Sequence, residues 1–520
     1  MFLSLYQRRS TSMNRLLVSF LFLFMSWQAL AQPATIIGKA TGYAGKKIVA
    51  FQVEDYISEK RLVIASADIA DDGQFALEFK PEETGVYILS IARTEASIYV
   101  VPGGHYTINF PTVTAGTVRK FDKTSVELAF EGLPDHDINL LIRDFNAEYA
   151  SFISEHYYDF AADEYHGSEA WLKSLGEKSN KTDLTKRAGN KDSTATHMPA
   201  VSFREVVSSF VTTTNTKYQG HYNNAFFRDY VRYSLGELEL MSGMNRNEFY
   251  HEYFMSQKIQ PTHPSYMSCF HAYYHHFLTQ RKKELQGAII KAVNQERDPM
   301  KIVTLFEGDS TCLGKEVRCL AVIKGLHDIY YDRTFTSYSI EKSLMNFPNE
   351  MTALKQIARN TLDELRKCKE GWIMSDFILP DEGGDKWKLS DHQGTPVYFL
   401  FFASWSSASI KEMQMMQNLY EKYGRQILFV AICMDDDFKT FKNYIVDHKE
   451  QKFTFLFGGG APMLSYDCGV RTIPHAMMLD AEGKVMYSFT RKPSEGIQMD
   501  LDKIIAVMKQ NTQGPKTWKQ

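Results

Sequence analysis

Cysteine is scarce in this chain. Six in 520 residues cannot form the disulfide framework of a small secreted scaffold, so burial must hold the fold. Neither sign of charge dominates: the formal net charge is −3 with no long basic run, which excludes the footprint of a nucleic-acid binder. After the first 31 residues no apolar run approaches the roughly 20 residues of a spanning helix, so no transmembrane segment is expected in the mature chain. Metal and cofactor patterns are missing too. His251-Glu252 lacks the second histidine of a zinc-protease helix, and residues 458–460, three glycines, lack the Lys and Ser/Thr of a phosphate loop. Asp435, Asp436 and Asp437 lack the glycine and terminal glutamate of a calcium loop. His271 and His275 share a helix face, with His263 and His276 nearby, but no acid sits at a ligand spacing. No metal and no cofactor are expected, and no internal repeat is present.

The chain begins with a secretory signal. Arg8, Arg9 and Arg15 form its positive end, residues 16–25 its apolar segment, and Ala29-Leu30-Ala31 a small-x-small cleavage site before Gln32. Met13 would open an equally good signal, so either Met1 or Met13 serves as the start. No cysteine follows the apolar segment, which disfavours a lipid anchor. Cleavage after Ala31 removes three arginines and no acid, leaving the mature chain more negative. Export to a periplasm is expected.

Three domains follow. Residues 32–125 read as an all-β, sandwich-like domain: Phe75, Leu77 and Phe79 alternate with polar or small residues after an Asp71-Asp72-Gly73 hairpin signal. Further strands are expected at 86–91, 97–101 and 106–110, the last two joined by Pro102-Gly103-Gly104. Residues 126–370 turn helical, with apolar residues at helical spacing from Ile138 through Phe152 and again at 201–211, 226–241, 267–278, 317–330 and 354–365. Within this region residues 176–200 are nearly empty of large apolar side chains and are expected to form a mobile loop. Cys312 and Cys319, seven apart in an expected helix, would sit about 10 Å apart along its axis, too far for a disulfide.

Residues 371–520 alternate strand and helix. An apolar strand over Val397–Phe402 runs into Trp405, Ser406, Ser407, Ala408 and Ser409. A helix over 410–423, a second strand over 427–434 and a helix opened by Asp435 to Asp437 follow. A hairpin through Ala481-Glu482-Gly483 and a final helix over 501–508 close the chain. With Asp376-Phe377-Ile378-Leu379-Pro380, Leu389-Ser390-Asp391, Phe402-Ala403-Ser404-Trp405, Ile473-Pro474 and Met478-Leu479-Asp480, this block resembles the TlpA-type thiol-disulfide oxidoreductases, redoxins of thioredoxin fold. The three-part layout resembles multidomain thioredoxin-like proteins of Bacteroidota.

The resemblance implies a Cys-x-x-Cys pair at a helix N-terminus, where the dipole lowers the first thiol's pKa to about 7 in thioredoxin, and a cis-proline opposite it that helps hold an extended substrate peptide. Here the motif reads Ser-Ser-Ala-Ser. Ser406 stands at the nucleophile position and Ser409 at the resolving one, with Pro474 as the cis-proline and Ile473 as the peptide-pairing residue. A serine hydroxyl does not ionise near neutral pH, so the defining exchange is not available to this pair. The expectation is a vestigial groove of Trp405, Ser406, Ser407, Ala408, Ser409, Ile473 and Pro474 that holds an extended peptide or exported protein partner, or serves only as architecture.

The alternative is an oxidoreductase working through Cys433 or Cys468, or with a partner's thiol. Buried, inert thiols are the simpler reading of both cysteines. A hydrolytic serine would need a base and an oxyanion hole, and no Gly-x-Ser-x-Gly elbow surrounds these serines. Helix initiation explains them better: Ser406 begins the helix and Ser409 with Glu412 fits a capping box.

Overall fold

The computed structural model describes residues 32–112, 124–156, 202–461 and 463–512. The expected signal segment 1–31 and the expected loop 176–200 fall outside the described residues.

Among the described residues nine strands come first: β1 (Ala34–Lys39), β2 (Lys47–Val53), β3 (Arg61–Asp68), β4 (Gln74–Phe79), β5 (Gly85–Ile91), β6 (Thr94–Val100), β7 (His105–Asn109), β8 (Thr124–Ser125) and β9 (Ala129–Glu131). They form two sheets, ordered β4-β1-β7-β9 and β3-β2-β5-β6-β8, around one core that includes Ile36, Leu77, Leu89, Ile98 and Ile108. Strand β4 alternates strictly, with Phe75, Leu77 and Phe79 inward, as the period-2 pattern requires. The Asp71-Asp72-Gly73 turn is real, with Gly73 at φ +82°, but it is not a hairpin. It joins β3 in one sheet to β4 in the other, and the Pro102-Gly103-Gly104 turn likewise crosses between sheets. Turn residues specify a reversal of direction and leave the choice of partner strand to packing.

Among the described residues ten α-helices follow: α1 (Ile138–Glu155), α2 (Phe203–Tyr218), α3 (Ala225–Met241), α4 (Arg246–Tyr253), α5 (Pro264–Tyr273), α6 (Lys283–Lys291), α7 (Pro299–Thr304), α8 (Lys315–Asp328), α9 (Ser337–Met345) and α10 (Thr352–Arg366). Their core is unusually aromatic, with Tyr233, Phe249, Tyr253, Phe254, Tyr266, Phe270, Tyr273 and Tyr274 buried together. Edge-to-face pairs such as Tyr233 with Tyr266, centroids 4.9 Å apart, add to area burial. Cys312 precedes α8 instead of sharing it with Cys319. Both thiols are buried, which pushes Cys312 up to about 12 and Cys319 up to about 11.

Asp55, fully buried, fastens the β block to the helices. It accepts from the Ile57 and Ser58 amides, the Ser58 hydroxyl and the Asn360 side-chain amide of α10. At the far end of the helical block, buried Glu341 accepts from the Tyr330 hydroxyl and the Arg366 guanidinium and pairs with Lys369. Burial would raise its pKa, but the bonds from Lys369, Tyr330 and Arg366 outweigh that and lower it.

The last block holds β10 (Ile378–Pro380), β11 (Lys386–Lys388), β12 (Val397–Phe402), α11 (Ser407–Tyr423), β13 (Leu428–Cys433), α12 (Phe438–Asp447), β14 (Thr454–Phe457), α13 (Leu464–Asp467), β15 (His475–Leu479), β16 (Val485–Tyr487) and α14 (Gln498–Thr512). Its sheet is ordered β14-β13-β12-β15-β16; β12, β13 and β14 are parallel, and β15 runs antiparallel to β12. All six residues of β12 are buried, because Tyr398, Leu400 and Phe402 meet α11, α12 and α14 on one face while Val397, Phe399 and Phe401 meet Met374, Leu379 and Leu464 on the other. A strand covered on both faces reads as an unbroken apolar run, which is how Val397–Phe402 stands out in the sequence.

Candidate functional site

The site lies where β12 ends, at the carboxyl edge of the parallel strands, the usual place for a site in such a sheet. After Phe402 the chain passes through buried Ala403 and turns into α11. Ser406 is the N-cap, its side chain accepting from the Ser409 amide at 3.3 Å, and so supplies one partner to the unpaired amides of a helix start. Ser407 and Ala408 are exposed on the first turn. Ser409 is fully buried, and among the described residues its hydroxyl has no partner. The expected Ser409–Glu412 capping box does not form. The helix begins three residues earlier than that pattern requires, and Glu412 turns away to accept from the amide and hydroxyl of Ser494.

Trp405 stands at the lip, 42% exposed. Opposite it, β15 pairs with β12 in a register that ends at Phe401 with His475, so the preceding Ile473-Pro474 peptide, which is cis, lies level with Phe402 and Ala403. Both residues are partly buried. The His475 imidazole bonds the Ser488 carbonyl at 3.0 Å and packs against exposed Phe489; burial lowers its pKa. Among the described residues no histidine or carboxylate hydrogen-bonds the Ser406 hydroxyl, whose oxygen accepts from the Ser409 amide.

Asp435, read from the sequence only as part of the run that opens the helix, has a role that no motif signals. It is buried, and its carboxylate accepts from the Ser404 amide at 3.1 and 3.2 Å and lies 3.3 Å from the Cys433 thiol. The loop before the serines is thereby tied to the end of β13. Asp437, two residues on, is the N-cap of α12 and accepts from the Thr440 amide, as the aspartate run predicts. The 458–460 glycines form a turn against this loop: a Cβ on Gly459 would lie 1.7 Å from the Asp435 carbonyl oxygen, an approach only glycine allows. Arg93, at the tip of the β5–β6 hairpin, reaches the same loop, pairing with the Asp436 carboxylate at 2.9 Å and donating to the Met434 carbonyl at 3.4 Å. No spacing in the sequence signals a contact over 343 positions.

The structure does not bring Cys433 and Cys468 together. Cys433 closes β13 within the cluster under α11 and α12, whereas Cys468 belongs to the cluster on the opposite face of the sheet. Burial raises both thiols, with the Asp435 charge adding to the effect at Cys433 and Cys368 adding to it at Cys468. Neither has the depressed pKa and solvent access that attack on an external disulfide requires. Two of the histidines noted in the sequence have other tasks: His271 bonds the Tyr56 carbonyl, and His263 caps α5.

Sheet order, strand directions and the position of the site together define a thioredoxin fold. Residues 371–488 match the AhpC/TSA family, and through this block the chain belongs to that family. It is similar to thiol-disulfide oxidoreductase ResA of Bacillus anthracis, 30% identical over 121 residues that make up 23% of this chain and 69% of the relative. It is also similar to thioredoxin-like protein YneN of Bacillus subtilis, 27% identical over 138 residues, 26% of this chain and 81% of the relative. A solved thiol-disulfide oxidoreductase from Bacteroides fragilis aligns with 25% of this chain and 99% of its own, at 18% identity and TM-score 0.23. Among the described residues no helix is long and apolar enough to cross a membrane.

Proposed function

We propose that this is an exported, periplasmic thioredoxin-fold protein in which Ser-Ser-Ala-Ser at 406–409 occupies the place of the Cys-x-x-Cys pair. The C-terminal block then serves as a peptide- or protein-binding or structural module. The observation that carries this reading is chemical. Ser406 uses its oxygen to cap α11, while the block's two thiols are buried on opposite faces of the sheet. Exchange with a substrate disulfide requires an accessible thiolate, and neither arrangement presents one to a substrate. What remains at the β12 edge is an exposed indole, partly buried Ile473 and Pro474, and the exposed Phe489 ring, surfaces suited to an extended apolar segment. The name of the ResA relative points instead to disulfide chemistry, which in this chain would need a thiol from elsewhere.

The test is insulin-disulfide reduction by the mature protein beside Ser406→Cys/Ser409→Cys. A silent native protein and an active double variant are expected, because the helix start that favours a thiolate is intact. Turnover by the native protein would overturn the reading. Titration with a reduced, carboxymethylated unfolded polypeptide should change the fluorescence of the native protein, and Trp405→Phe should remove most of that change.

A further inference from the structure

Cys368 stands two residues beyond α10, in the left-handed conformation at φ 54°, where the chain passes into the C-terminal block. Its Sγ lies 3.0 Å from the Asp467 carbonyl oxygen. That carbonyl belongs to the peptide that continues into Cys468, and in a planar trans peptide the oxygen and the next Cα are about 2.8 Å apart. The Cys368 sulfur is therefore within about 6 Å of the Cys468 Cα. On the other side, the position a Gly469 Cβ would occupy is 3.5 Å from Cys368 Sγ and 3.7 Å from its Cβ, so no side chain intervenes there. Cys468 is a member of the apolar cluster against which Cys368 packs. The segments are held in place by Lys367, whose ammonium sits 3.4 Å from the Tyr466 ring centroid and 3.7 Å from the Asp467 carboxylate. Both thiols are free in this structure.

We propose that Cys368 and Cys468 are the site of a disulfide that fastens the end of the helical block to the thioredoxin fold, with a low-molecular-weight disulfide as oxidant. Cys368, the more exposed of the two, releases its proton to solvent and attacks one sulfur of the oxidant. The oxidant's S–S bond breaks, one reduced thiol departs, and the other half stays on Cys368. Cys468, in losing its own proton, then attacks Cys368 Sγ and expels the second half as a thiol. The cysteines give up two electrons and two protons, and the oxidant takes both as two thiols. The buried partner never has to meet the oxidant. Burial pushes Cys368 up to about 11, with Asp467 and Glu364 adding to this against Lys367. The first step is therefore slow near neutrality and accelerates roughly tenfold per pH unit between 7 and 9.

The experiment exposes the mature full-length protein to glutathione disulfide at pH 8, then unfolds it in acid, alkylates free thiols and maps the peptides. Two fewer thiols than the native six, a Cys368–Cys468 linked peptide and a raised Tm are expected, since the bond closes a loop of about 100 residues in the unfolded chain. Cys368→Ser should keep all its remaining thiols and show no Tm shift, while Cys433→Ser should behave as native. A persistent glutathione adduct on Cys368, full alkylation of all six thiols, or a link through another cysteine would each overturn the proposal.

Discussion

His271 shows how a single side chain can make stability depend on pH. It sits on α5 with Nε2 on the Tyr56 carbonyl, and burial, with Lys324 nearby, holds its pKa down to about 4. Asp328 opposes that shift and His327 reinforces it. A histidine depressed when folded binds its proton first in the unfolded chain. Its contribution is thus fully present above the ordinary value near 6.5 and is lost as pH falls from there to about 4. The gap corresponds to at most ~3 kcal/mol, and the full amount is an upper bound because the residue is not wholly sealed from solvent. Urea midpoints between pH 7 and 4 should fall with this slope in the native protein and fall less in His271→Gln.

At the scale of elements, the question is what fixes the turn from β12 into α11. Asp435 does so from the end of a neighbouring strand, and Asp435→Ala would leave the Ser404 amide without its buried acceptor, at about 1–3 kcal/mol. Chemical denaturation should register that loss, with Asp435→Asn intermediate because its amide oxygen can still accept. The elements themselves were largely legible: Val397–Phe402 reads as a strand covered on both faces, and the aspartate run opens α12 where its capping chemistry predicts. The misses share a cause. The Asp71-Asp72-Gly73 turn announces a reversal without saying which sheet receives the next strand. Ser409 and Glu412 satisfy a capping pattern, yet the helix starts at the earlier serine and packing takes both residues elsewhere. Partners distant along the chain, such as Arg93 for Asp436 or Cys368 for Cys468, leave no periodicity to read.

Across the whole molecule the three blocks contact one another pairwise. Asp55 and Asn360 join the β block to the helices, Lys367 and Asp467 join the helices to the thioredoxin fold, and Arg93 and Asp436 bring that fold back to the β block. The last pair is partly exposed and should be worth no more than about 1 kcal/mol. Arg93→Ala is therefore expected to leave the global Tm nearly unchanged while speeding amide hydrogen exchange at residues 434–437, read by mass spectrometry. Unchanged exchange there would mean that the contact does not order the loop.

The Arg93 contact also has a place in time. At roughly 5–20 residues per second, a ribosome reaches Asp436 about 20–70 s after Arg93. Throughout that interval the hairpin tip waits without its acidic partner. Of the three junctions, the one beside the serines spans the longest stretch of chain, so a chain released before residue 436 would carry a β block whose Arg93 lacks its contact with Asp436.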